Sequence, residues 1–527
     1  MVRCDPNGGG NMARLVGYHV IMHRPFQMLA FLLLLLGLPA LAGAGDWPQL
    51  GHDPGRTGLG DSAVAPPYQA RWIWCGPAAT LRNKASNAAW PDDLRSVAGA
   101  DYAMPASVPF TLAGRVQPVA ADGVVIVGDM DGHVYCIALD DGRPLWSGEN
   151  PGGTCGSAAI AAGVAVVTSV PGAVCGFDLK TGQRRWRFET PKAITGSVLA
   201  IGDRVFIGCH DGRVYALAAA DGRLLWKSEP LGAPIVADLC GDGSALYVGA
   251  ENMRFVKLDP GNGRLLVQTR LTGQSFRMLH PVLHGGLLFV QTVQGPCVGS
   301  EYVMEDVMRD SPDIAAEQQN ILRWLRGDTN GGRWKDASPG WKHLHVLRAA
   351  DLSEPFIVPN GPADGCGSPC PPPCVDGQGR ALTWFKTAFP TLTAKGSFGT
   401  KFSMDISAVD PKDGRRVPID NGHLSGTTGE TDNLFALSAA GSLLYLRQEF
   451  RGTKVIDLKT SQSHLIQAAV RTRDGGRWDA DVVYRERGPL PKFSQPALAG
   501  KTAVVIAGDR LLIAEPYCVT CIEHREK

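Results

Sequence analysis

A period of forty residues governs this chain. Gly142, Gly182 and Gly222 lie forty residues apart, and Gly263 follows at forty-one. Trp146, Trp186 and Trp226 keep the same period, as do Gly132, Gly172 and Gly212, each followed two positions later by Val134, Val174 and Val214. A fixed period in this range marks an array of supersecondary units, none of which can bury its apolar surface alone. Within one period the pattern is β throughout. Gly196–Ile201 and Arg204–Gly208 read as strands, His210-Asp211-Gly212 as a turn, and Arg213–Leu217 as a third strand. Ala220-Asp221-Gly222 then turns the chain into Arg223–Lys227. Asp-Gly between apolar runs is a strong hairpin signal, because glycine takes the positive φ that such turns need. One period is therefore one antiparallel four-stranded sheet, and radial stacking of such sheets gives a propeller.

The expected fold is all-β, a β-propeller of eight four-stranded antiparallel blades, with seven as the alternative count. The blades are read at 116–146, 156–188, 196–228, 234–268, 280–358, 376–419, 431–467 and 493–516. The last lacks an outer strand, while 68–74 is a strand without a blade. Pairing 68–74 beside 510–514 would close the ring and remove an open edge that invites aggregation. Residues 517–527 are then left as a C-terminal tail, and 45–527 form one domain.

Residues 1–44 are set aside as leader. His23 and Arg24 precede an apolar run from Leu29 to Leu38, followed by Ala40-Leu41-Ala42, the order of a secretory signal peptide. The run is too short to span a bilayer, which takes about 20 residues. No cysteine follows the small residues, so the expectation is an exported periplasmic or extracellular protein and not a lipoprotein. The leader carries Arg3, Arg14, Arg24 and Asp5, so its loss turns the net charge of +1 into −1. A near-neutral chain without a basic run argues against nucleic-acid binding. Of 13 cysteines, Cys4 goes with the leader, and an even set in an oxidising compartment suggests disulfides.

The units Asp178-Leu179-Lys180-Thr181-Gly182-Gln183-Arg184-Arg185-Trp186 and Ala219-Ala220-Asp221-Gly222-Arg223-Leu224-Leu225-Trp226 resemble the repeat of quinoprotein-like (PQQ-like repeat) propellers. So does the stretch from Asp46-Trp47-Pro48-Gln49-Leu50 through His52-Asp53-Pro54-Gly55-Arg56-Thr57-Gly58. The resemblance covers roughly 46–516 and is sharp over 46–58 and 116–268. It implies that Trp146, Trp186 and Trp226 dock each blade on the next. A Trp side chain buries about 150–250 Å², or roughly 4–6 kcal/mol at about 25 cal/mol per Å². Val267, Pro418 and Leu465 stand in the corresponding neighbourhoods of later blades, so docking there is different.

Two functions share this kind of propeller: dehydrogenation with pyrroloquinoline quinone (PQQ) over calcium, and non-catalytic scaffolding of the BamB type. Against the enzyme, the chain has no Cys-Cys dipeptide to cap a quinone. Gly249-Ala250-Glu251 resembles the context of the family's calcium-binding Glu, and Arg326-Gly327-Asp328 that of its catalytic Asp, but the Asn ligand has no counterpart. The plainer readings are a loop-end carboxylate for Glu251 and an exposed loop acid for Asp328. Cys518-Val519-Thr520-Cys521 is followed by Ile522 and not His, so no haem attachment site is present. The expectation is an interaction scaffold with a protein partner, possessing no cofactor or metal; the alternative is a PQQ- and calcium-dependent dehydrogenase with a diverged site.

Three further constellations stand out. Cys366, Cys370 and Cys374 lie in a Pro-rich loop (366–374) and, with Cys518 and Cys521, could offer thiolates to zinc; disulfide stapling is the expected use, and a redox Cys518–Cys521 pair lacks the usual context. Segment 295–341 interrupts blade five with a short helix. Ser311-Pro312 opens it, Ile314, Ile321, Leu322 and Leu325 form its apolar stripe, and Gly327 ends it. That stripe is expected to pack back on the propeller, with a partner-binding helix or a lid as alternatives. His343 and His345 share one strand face without a third metal ligand.

Overall fold

A computed structural model describes residues 45–74, 115–277, 279–293, 313–327, 342–360, 372–392, 398–419, 435–448, 452–466, 502–515 and 518–525, with a few short pieces besides. The leader, Asp328, Cys366 and Cys370 lie outside the described residues. The fold is an eight-bladed β-propeller. Blade one comprises the strands Val119–Ala121, Val124–Gly128, His133–Ala138 and Pro144–Glu149, and blades two, three and four repeat this order from Ala159, Leu199 and Cys240. Blade five has three described strands, and blades six and seven begin at Cys374 and Phe435. In each of the first three blades the third and fourth strands slip register at one place, beside the pairs Cys136↔Trp146, Gly176↔Trp186 and Ala216↔Trp226. Such a bulge twists the outer strand locally, and it recurs at each docking tryptophan.

The seams from blade eight round to blade six are built around the turn between the third and fourth strands. The Nε1–H groups of Trp146, Trp186 and Trp226 donate to the carbonyls of Leu179, Ala219 and Pro260 at 2.9, 3.0 and 3.0 Å. Each acceptor stands three residues before the turn glycine of the next blade. The glycines serve two purposes. Gly182 has φ of +71°, and a Cβ added there would lie 2.6 Å from the Trp146 ring. Gly222 and Gly263 stand in the same relation to Trp186 and Trp226. Where blade four has Val267 and not a tryptophan, the facing turn in blade five carries Leu352 at φ +59°, and both pack in one apolar cluster. The Ala349 carbonyl, which an indole would otherwise reach, accepts from Tyr247 Oη at 2.9 Å and Lys257 Nζ at 2.9 Å. Blade five docks through Phe356, whose ring lies against Gly414 of blade six.

The ring closes with an N-terminal strand, at a different place from the one expected. Tyr68–Trp74 pairs antiparallel with Cys518–His524, which in turn pairs with Arg510–Glu515. The expected tail is thus the third strand of blade eight, and 68–74 is the fourth, one position further out than 510–514 would allow. The short apolar and β-branched run Cys518–Ile522 has the composition for this. The seam to blade one repeats the pattern: Trp72 Nε1 donates to Leu139 O at 2.9 Å, and its ring covers Gly142. Arg71 adds a bridge to Asp140 (2.6 Å) and Glu523 (3.0 Å).

The inserted helix spans Ile314–Arg326, capped by Asp313, whose carboxylate accepts from Ala316 N, and ended by Gly327 in the left-handed region. Its buried side is Ile321, Trp324 and Leu325, while Ile314 is exposed. Gln318 Oε1 accepts from Arg416 N at 2.9 Å, so the helix covers the outer edge of blade six. Blade six differs from its neighbours in another way. Its central strands, Ala381–Leu392 and Phe398–Val409, run twelve residues each in unbroken register, whereas the central strands of blade seven, Leu443–Gln448 and Gly452–Asp457, are six residues long.

Candidate functional site

The inner strands present an unpaired backbone edge to the propeller axis, and a buried edge of that kind must find partners. Residues 47–62 supply them, passing the blades in order. Trp47 exchanges both backbone bonds with Ala120 of blade one, and Ile160 N of blade two donates to Pro48 O at 2.8 Å. The Gln49 amide pairs with both backbone groups of Ala200 in blade three. Gly241, Leu283, Val375 and Ala439, from blades four to seven, donate their N–H groups to Pro54, Gly55, Thr57 and Gly58 at 2.8–2.9 Å. Ser62 Oγ completes the circuit at Gly508 O of blade eight. Arg56 sits inside this loop, fully buried. Its guanidinium donates to the carbonyls of Leu239, Leu50 and Val198. Burial draws its pKa down to about 10, against the opposing pull of Asp238, Cys240 and Asp53.

A second set of polar residues lies two residues before the inner strands of blades one to five. Gln117 N donates to Ser157 Oγ at 2.8 Å, Ser157 N to Ser197 Oγ at 2.9 Å, and Ser197 N to Asp238 Oδ1. His280 holds the same position in blade five. Asp238 is the charged centre of this ring, buried and bridged to Arg115 Nη2 at 2.8 Å. Burial alone would raise its pKa; Arg115, the Ser197 N–H and Arg56 outweigh that and hold the carboxyl below its ordinary value. Burial, reinforced by Arg56 and Arg115, pushes His280 down to about 4 despite Asp238. The imidazole is therefore neutral at pH 7. Cys155 has its thiol pKa raised by burial, opposed by Arg115, so it is a poor nucleophile.

Glu251 stands apart from this ring. Its two carboxylate oxygens accept from Ser275 Oγ at 2.8 Å and Phe276 N at 3.0 Å, which fixes the loop leading to blade five. Calcium takes about six to eight oxygen ligands. Among the described residues no three His, Cys, Asp or Glu side chains gather as a metal group. Glu251 is committed to its loop, and Asp238 is neutralised by an arginine. These residues do not fit a calcium–quinone site. Cys518 and Cys521 occupy one regularly paired strand at odd spacing, so they fall on opposite faces and cannot share a bond or a zinc ion. Among the described residues, Cys136, Cys155, Cys175, Cys209, Cys240, Cys374 and Cys521 are free thiols, so the expected disulfides are not seen at those positions. His343 and His345 are both buried; His345 is held by Glu354 and Thr272. Neither the axial loop nor the Asp238 ring was anticipated from sequence. The forty-residue spacing of Gln117, Ser157 and Ser197 was the available signal.

A family model described as outer membrane protein assembly factor BamB matches residues 83–237 and 210–303. No curated protein matches the sequence. The crystal structure of quinohemoprotein alcohol dehydrogenase from Comamonas testosteroni superposes with a TM-score of 0.55 at 12% identity, covering 92% of this chain and 81% of that one. BamB from Moraxella catarrhalis gives a TM-score of 0.46 at 12% identity, over 78% of this chain and 97% of that one. Identity at this level speaks to fold alone. With the repeat seams, the eight blades and the family match in agreement, the chain is a β-propeller of the PQQ-like repeat class.

Proposed function

We propose that this protein is an exported interaction scaffold whose partner is another protein, within the envelope and in the assembly of its outer-membrane proteins. The observation that carries this reading is the use made of the funnel carboxylates. Glu251 is spent on Ser275 and Phe276, and Asp238 on Arg115 and Ser197, so neither is free to hold a metal or to accept a substrate proton. The inner strands beside them are paired with the chain's own residues 47–58. The match to an assembly-factor family supports the same reading, as does the Leu29–Ala42 leader. Among the described residues no helix is long and apolar enough to cross a membrane.

The likeness in fold to an alcohol dehydrogenase keeps a diverged PQQ enzyme as the competing reading. Calorimetric titration with PQQ and calcium, followed by a dye-linked assay on alcohols and aldoses, separates the two. The scaffold should show neither tight quinone binding nor turnover. Stoichiometric binding, with turnover abolished by Glu251→Gln, would overturn the proposal.

A further inference from the structure

We propose that the base of the segment inserted in blade five is an acid-operated hinge, which at low pH frees the helix Ile314–Arg326 from blade six. The insertion leaves the blade after the strand Leu287–Gln291 and re-enters it at Leu344–Arg348. Both ends are clamped there. Gln291 pairs with Leu344 at the end of the ladder, and just beyond it Thr292 N donates to His343 O at 2.9 Å. The outgoing end is tied to the loop after blade four, with Thr292 Oγ1 donating to Thr272 O at 3.0 Å and Val293 N to Ser275 O at 2.8 Å. On the incoming end, Lys342 bridges Glu354.

His343 is the weak point of this clamp. The residue is 3% exposed, and neither ring nitrogen has a hydrogen-bond partner. A neutral imidazole in such a place leaves one donor and one acceptor unmet, whereas an imidazolium leaves two donors and a charge. The neighbours supply no free carboxylate to receive it. His345 is itself an imidazole, with Nε2 at 3.1 Å from Thr272 O and Nδ1 at 3.5 Å from Glu354 Oε1. The other oxygen of Glu354 accepts from Lys342. On the blade-four side, Glu251 is taken up by Ser275 and Phe276, and Arg277 is exposed. Burial, reinforced by His345, accordingly holds the His343 imidazole at about 4.

A proton on His343 is stabilised by water, and parting the Thr292–His343 pair brings the ring to water. That frays the end of the ladder from which the insertion hangs. The helix beyond it is held on blade six by the bond from Arg416 N to Gln318 Oε1 and buries Ile321, Trp324 and Leu325. Local opening of such an element costs less than unfolding a blade, so the insertion opens before the blades do. The face it uncovers is apolar. An open form that takes its proton at the ordinary 6.5, against about 4 in the closed form, makes the opening constant roughly twentyfold larger at pH 5 than at pH 7. This inference does not depend on the scaffold reading.

The test is hydrogen exchange of the purified chain, read by mass spectrometry at pH 7 and pH 5, with each rate divided by the chemical exchange rate at that pH. Helix peptides should show an opening constant roughly twentyfold larger at pH 5, and peptides from the blade-two hairpin Val164–Asp178 should not. His343→Gln should bring the helix's ratio close to one, whatever it does to opening at pH 7, because an amide takes up no proton. His280→Gln, at the other depressed imidazole of blade five, should leave the ratio at about twenty. Equal opening of the wild-type helix at both pH values would overturn the proposal. So would a ratio that survives His343→Gln or disappears with His280→Gln. Blade-two peptides that open in step with the helix would also overturn it, by showing general acid unfolding, and that comparison needs wild type alone.

Discussion

At the scale of single residues, one turn position decides how neighbouring blades meet. Glycine there is required twice, by backbone conformation and by the ring that covers it. Those two demands can be separated. Gly182→Ala should cost several kcal/mol; with Trp146→Ala already in place, only the left-handed strain of about 1–2 kcal/mol should remain. Trp146→Ala alone should cost about 3–5 kcal/mol. Denaturant titrations of the two single variants and the double variant would show strong non-additivity; additive losses would mean that ring and turn do not touch. The histidines make a second residue-scale prediction. Burial holds His280 and His343 at about 4, below the 6.5 of a free imidazole. Between those values the unfolded chain binds more protons, so stability is complete above about pH 6.5 and falls as pH drops toward 4. At pH 5 each should have cost about 2 kcal/mol, at about 1.4 kcal/mol per unit. Replacing His343 with Gln should flatten that loss in urea midpoints measured at pH 7 and pH 5.

At the scale of elements, the closing blade was legible in kind and misplaced by one strand. The segment 68–74 announced itself by aromatic and β-branched residues, and the need for a partner followed from the missing outer strand. Cys518–His524 was hidden because its two cysteines read as candidates for disulfides or zinc, and its terminal charged residues as a tail. The later blades were harder to read for a related reason. Docking there uses Phe356 on Gly414, or Tyr247 and Lys257 on one carbonyl, so the contact persists while its residue types change. The corrected pairing yields a sharp expectation. Ending the chain after Glu515 removes the strand between 68–74 and 510–515. It should therefore lower the melting temperature as severely as deleting 46–74. A truncated protein that melts like wild type would show that the ring does not close here. Arg71→Ala should give a small, salt-sensitive loss, since its partners are partly exposed.

At the scale of the whole molecule, the blades were readable because strand, turn and docking residues recur at one spacing, whereas the axis was not. Its loop is held by backbone groups from Gly- and Pro-rich sequence, which carries no hydrophobic period, and Asp238 finds Arg115 only after the blades are assembled. Export itself is testable. N-terminal sequencing of protein recovered outside the cytoplasm should begin between Gly43 and Asp46, and intact Met1 or Met22 in the cytoplasmic fraction would contradict it. The axial loop has one more consequence, and it concerns time. Residues near the start of the chain touch every blade in turn, and the last of these contacts, Ser62 to Gly508, spans 446 positions. A chain that emerges N-terminus first must hold this segment unsatisfied until blade eight appears, and contacts of such long range form slowly. In pulsed hydrogen exchange during refolding, the backbone amides of Ala120, Gly241 and Ala439 that donate to the loop should gain protection last, after the hairpins of their own blades.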